Sequence, residues 1–139
     1  MAVKEVEAAQ DRHPPVAKLV PQGISFADIQ AGNLFGAGCA YYPGGGEGGN
    51  PVLLTDSERG VLKLGGELTI FASDAGSAEF PYGTREKYTG RTYEIALSKG
   101  PGEGTPYGEE AVRWPGTMTV RDQWGRIAYD DSGTLECGA

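Results

Sequence analysis

From Gly36 to the C-terminus the apolar residues of this chain recur at every second position, in short runs separated by glycine-rich turns, and few folds accommodate that pattern. In RTYEIALS (91–98), Tyr93, Ile95 and Leu97 share one face, while Thr92, Glu94, Ala96 and Ser98 share the other. That alternation describes a half-buried strand. In TMTVRD (117–122), Met118 and Val120 oppose Thr117, Thr119 and Arg121 in the same way. CAYY, PVLLT, GVLKL, ELTIFA, GRIAYD and TLEC are further runs of this kind. The breaks DSERG, SDAGS, YTGR, KGPGEG, DQWG and DDSG carry turn chemistry, and KLGGEL reads as a hairpin with a Gly-Gly turn. Strands at this spacing predict an all-β fold, an antiparallel barrel or sandwich of about eight strands. Its expected core strands are Val52–Thr55, Val61–Leu64, Leu68–Ala72, Thr92–Ser98, Thr117–Arg121 and Gly125–Tyr129.

At 139 residues the chain is long enough for one domain with a core of its own. Its 23 glycines and 9 prolines favour many turns over long helices. His13-Pro14-Pro15 and Pro21 interrupt any helix near the start, so residues 1–22 read as a dispensable flexible tail and 23–139 as a single β-domain. One short N-terminal helix is expected over 26–32, with Ser25 and Asp28 as a capping box, Ile24 and Ile29 as a staple, and Gly32 as terminator. KGPGEGTPYGEE (99–110) reads as a long exposed loop.

The net charge of −7 repels nucleic acid and anionic lipid, and no apolar stretch is long enough to span a membrane. Arg85, Lys87 and Arg91 form a local basic cluster that suits a solvated edge strand. A monomer is expected. The start, MAVKEVEAAQDR, has no apolar leader core, which fits either a cytosolic protein or an exported one written without its leader.

His13 is the single histidine and lies in the Pro-rich start, so a Ser-His-Asp or Cys-His site would need it folded back into the core, and a zinc site of two or three His lacks the residues; no catalytic residue, metal or cofactor is expected. GAGCAYYPGGGEGG (36–49) lacks the third glycine and the helix of a dinucleotide loop, and reads as a connection into the first strand. Among 19 carboxylates, the visible pairs Glu109-Glu110 and Asp130-Asp131 fall at turn-like places. A carboxylate-dependent enzyme therefore stays open as an alternative. Trp114, Trp124, Phe71 and Phe80 are the core candidates. Tyr82, Tyr88 and Tyr107 lie near Gly/Pro breaks, as rim residues, and with Arg85 they are the candidate binding residues.

Cys39 and Cys137 stand at the two ends of the β region, where a closed sheet brings first and last strands together. A disulfide is expected between them, closing a loop of 98 residues (137 − 39), with a buried reduced pair as the alternative. Neither cysteine has a base or cation beside it to favour a reactive thiolate.

GAGCAYY (36–42), KLGGEL (63–68), TMTVRDQWGRI (117–127) and LECGA (135–139) together resemble a family of small, uncharacterised bacterial proteins that are exported and all-β. Met118 stands where that pattern has Leu. The resemblance implies a periplasmic or secreted location and supplies no activity. AGSAEFPYG (75–83) is similar in residue types, though not in order, to the cleft-entering loop of periplasmic inhibitors of c-type lysozyme. The expected function is a non-catalytic envelope or secreted β-domain that binds a protein or a small-molecule ligand. The alternatives are a lysozyme-inhibitor-like protein, the carboxylate enzyme, and a cytoplasmic structural domain with two free thiols.

Overall fold

The structure, a computed structural model, describes residues 13–44 and 49–139. One helix is described, α1 (Phe26–Gly32). The strands are β1 (Gly38–Pro43), β2 (Leu53–Thr55), β3 (Arg59–Leu64), β4 (Glu67–Ser73), β5 (Lys87–Thr89), β6 (Tyr93–Lys99), β7 (Thr105–Tyr107), β8 (Ala111–Asp122) and β9 (Ile127–Gly138). All pairings are antiparallel, and β1-β2-β3-β4-β5-β6-β8-β9 close into a ring through β6–β8 and β9–β1. The fold is an eight-stranded antiparallel barrel, with β7 added outside the ring on the first residues of β8.

The period-two pattern decides which side chains enter the barrel. Tyr41, Leu53, Leu62, Phe71, Tyr88, Ile95, Leu97, Trp114, Met118, Val120 and Leu135 join the two cysteines in one buried cluster. An eight-stranded barrel is just wide enough for its side chains to fill it. The hairpin Leu64–Glu67 turns on Gly65 and Gly66 at φ 58° and 81°, the left-handed pair that such a turn requires.

Cys39 and Cys137 face each other in the β1–β9 register and form a disulfide, with Cα atoms 4.0 Å apart. That separation approaches the close pairing of an antiparallel ladder, about 4.5 Å. On the other side of β1, Gly38 is required against β2, because a Cβ there would land on the Thr55 carbonyl oxygen.

Several expectations change. The Asp130-Asp131-Ser132-Gly133 turn is continuous strand inside β9, which joins the expected GRIAYD and TLEC runs. Its glycine serves close approach: a Cβ on Gly133 would meet the Tyr42 carbonyl oxygen across the seam. The 99–110 loop contains β7, paired with Ala111–Arg113 as a small hairpin. The capping box of Ser25 and Asp28 is present, but Asn33, left-handed at φ 51°, caps the C-terminus of α1 and Gly32 is its last helical residue. Trp124 is 42% exposed instead of buried, because it sits in the β8–β9 turn where Asp122 Oδ1 accepts its N–H at 3.0 Å.

The barrel has two unlike ends. One carries the connections 44–52, 65–66, 90–92 and 123–126. There β1 stops at Pro43, opposite Gly133, and leaves the first half of β9 beyond its reach. Residues 13–25 lie across this gap as a strap. Arg126 donates to the Pro14 carbonyl at 2.8 Å, Leu19 N–H to Ala128 at 2.9 Å, Gln22 N–H to Lys63 at 2.9 Å, and Ile24 N–H to Pro51 at 2.7 Å. Leu19 packs on the core and Ile24 is buried. The expected tail is thus docked from His13 onward, while residues 1–12 lie outside the described residues. The other end, the loop end, carries 56–58, 74–86, 100–104 and the β7–β8 turn 108–110. No helix among the described residues is long and apolar enough to cross a membrane.

Candidate functional site

Three of the four residues singled out for binding come to the loop end with exposed or partly exposed side chains. Tyr82 is 48% exposed, Tyr107 is 53% exposed, and Arg85 is half-buried. Tyr88 is not one of them. Its register opposite Ile95 turns it into the barrel, where it is fully buried. Its hydroxyl donates to the Asp56 carbonyl at 2.7 Å and accepts from Arg85 N–H at 3.0 Å. Burial raises its pKa, and it works as an internal brace for the loop end.

Tyr82 is held in an unusual way. The 3₁₀ turn Pro81–Gly83 places it at φ 62° and ψ 28°, a left-handed conformation that costs a side-chain-bearing residue about 1–2 kcal/mol. Surrounding bonds impose it. Phe80 N–H donates to the Thr84 carbonyl at 2.7 Å, and Thr84 Oγ1–H donates to the Pro81 carbonyl at 2.7 Å. Thr84 is buried, and its Oγ1 lies 3.3 Å from Cys39 Sγ. The loop rests directly on the disulfide. A non-glycine residue in this region points to a functional constraint when the scaffold over-determines it.

Tyr107 sits on β7, whose three residues are all exposed. Its ring stacks on the Arg113 guanidinium at 3.4 Å, and the Tyr42 ring lies 5.5 Å away on β1. Arg113 Nε donates to Glu136 at 2.7 Å; that bond raises the guanidinium pKa and fixes it as a cation. Burial, then the charge of Glu136, raises the pKa of Tyr42. Sequence reading missed Arg113, Tyr42 and Glu136. Their common outward face on β8, β1 and β9 was legible only once the strand order was known.

The carboxylate pairs form no two-carboxylate site. Asp131 points inward, accepting Tyr41 O–H at 2.6 Å and Gly44 N–H at 2.9 Å, whereas Asp130 points outward to Thr119. Glu109 and Glu110 are exposed in the β7–β8 turn. Among the described residues, no group of three or more His, Cys, Asp or Glu side chains is placed to hold a metal. Depressions occur outside the barrel, such as one of about 500 Å³ over Ser98, Thr117 and Ser132. Comparison with known protein families, with curated proteins and with solved structures finds no match to this chain.

Proposed function

We propose that this chain is a non-catalytic recognition domain of the bacterial envelope or exterior, binding a protein partner through its loop end. The observation that carries the reading is Tyr82: a large aromatic side chain kept half in water, in a costly backbone conformation, by a loop anchored on the disulfide. Tyrosines of this kind supply contact area at low entropic cost, since little motion remains to be lost on binding. The filled barrel favours a macromolecular partner over a small ligand held inside, as small-molecule sites are concave. The disulfide and the exported-family resemblance support an oxidising compartment.

Site-specific photo-crosslinkers at positions 82 and 107, with position 124 at the strap end as control, test this in cells of the source organism. Crosslinks to one protein from 82 and 107 and none from 124 are expected. Crosslinks from 124 alone, or from no position, overturn the reading. A second reading, inhibition of c-type lysozyme, is favoured by the exposure of Tyr82 in the 75–83 segment. Lysozyme turnover measured with and without the protein decides it.

A further inference from the structure

Charge divides sharply between the two ends. Among the described residues, Lys18, Arg91 and Arg121 are the exposed cations, and all three lie at the strap end with exposed Glu67 and Asp130. At the loop end the exposed charges are Glu58, Glu79, Glu103, Glu109 and Glu110, every one acidic. The cations there are half-buried and already engaged. Arg59 contacts Asp56 and the Asn33 carbonyl, Arg85 the Ser77 carbonyl, Lys87 contacts Glu94, Lys99 the Trp114 ring, and Arg113 contacts Glu136.

The β7–β8 hairpin also shows what such a surface can hold. Arg113 is a guanidinium seated between the Tyr107 and Tyr42 rings and closed by the Glu136 carboxylate. A cation over an aromatic face beside a carboxylate is a favourable site for a desolvated lysine or arginine. Arg113 occupies it from within the chain. Tyr107 remains 53% exposed, with Glu103, Glu109 and Glu110 on the adjoining turns. The open edge of β7 is a poor site for an added strand, because Pro106 has no N–H to offer there. Side chains, not backbone, are what this hairpin presents.

Resting on the recognition reading above, we infer that the Tyr107 hairpin is a cation-docking arm, and that the partner protein meets it with a lysine- or arginine-bearing surface. Tyr107 supplies the ring face turned away from Arg113, while Glu103, Glu109 and Glu110 supply the opposing charge. The internal Arg113 stack keeps the ring in place before the partner arrives.

The test is an NMR titration of the isotope-labelled full chain with a lysine decapeptide, using a glutamate decapeptide as control. Shifts should centre on the amides of 102–111 with the lysine peptide alone. The triple variant E103Q/E109Q/E110Q should weaken binding about tenfold. Tyr107→Leu should weaken it about threefold and Tyr107→Phe not at all, since the aromatic face is what attracts the cation. Melting temperature monitors the fold of each variant. Shifts centred on the Glu67 and Asp130 end, shifts spread evenly over the surface, or an unaffected triple variant would each overturn the inference. Crosslinks from 82 and 107 to a partner, combined with failure here, would remove the cationic chemistry and leave the recognition reading intact.

Discussion

The strap of residues 13–25 and the loop of residues 74–86 close opposite ends of the same barrel by different means. The strap is joined by bonds from Leu19, Gln22 and Ile24 to three separate parts of the barrel, and between them it leaves residues such as Val20 in water. The loop is tied to itself and to the wall. Asp74 N–H donates to Lys87, Phe80 N–H to Thr84 and Glu86 N–H to Ala78, while the Ser77 hydroxyl donates to the Asp74 carbonyl and accepts from Lys87 N–H. A segment that only covers a gap needs a few apolar anchors. A segment that must present Tyr82 in one orientation needs its backbone fixed, and it is fixed against the disulfide.

Breaking the loop's foundation should have the largest effect. Cys39→Ala with Cys137→Ala releases a constraint on 98 residues, and loop-closure entropy puts the loss near 4–5 kcal/mol. Denaturant unfolding of the double variant against the oxidised parent checks this; thiol titration of the unfolded, unreduced parent should find no thiol. Next in size is Gly133→Ala, whose added Cβ would meet the Tyr42 carbonyl. Forcing the β1–β9 seam apart should cost about 2–3 kcal/mol in the same assay. A chain beginning at Gln22 loses the Leu19 contact and its bond to Ala128, and should unfold about 1–2 kcal/mol more easily. Equal melting of that chain and the full chain would return the strap to the status of a dispensable tail.

Tyr82→Gly separates presentation from stability. Glycine adopts φ 62° without steric cost, so the variant should gain about 1 kcal/mol while losing partner crosslinking from position 107. A variant that loses both would show that the ring braces the fold.

The smallest expected effect lies at Asp28 beside the strap. The Lys63 ammonium at 2.8 Å, with the Ser25 N–H and hydroxyl, lowers its pKa to about 2. Its folded pKa is below its unfolded one, so its contribution is full above the unfolded value of about 4. That contribution fades as pH falls towards 2. Asp28→Asn should therefore differ from the parent at pH 5 and converge with it near pH 2 in thermal unfolding.

What the sequence disclosed follows from the range of the interactions involved. Alternation in 91–98 and 117–122, the Gly65-Gly66 turn and the Ser25 cap are short-range patterns, and each appears as read. The disulfide was legible because only two cysteines stand at the ends of the β region. The continuity of β9 through Asp130–Gly133 was hidden, since those residues favour a turn and only the opposing β1 and β8 hold them extended. Tyr88 was misplaced for a related reason: in a three-residue strand, alternation is too brief to show which side is inward. Tyr42 joins the Arg113 stack only through the β1–β9–β8 strand order, which no local pattern encodes.

Amide hydrogen exchange on the oxidised chain and on the cysteine double variant tests the central contrast most directly. In the oxidised chain the amides of Phe80, Thr84 and Glu86 should exchange only with global unfolding, while those of Leu19 and Gln22 should exchange through smaller local openings. In the double variant the loop amides should lose that protection and approach the strap. Loop amides that exchange as fast as the strap in the oxidised chain would contradict it, for Tyr82 would then stand on a loop that the disulfide does not hold.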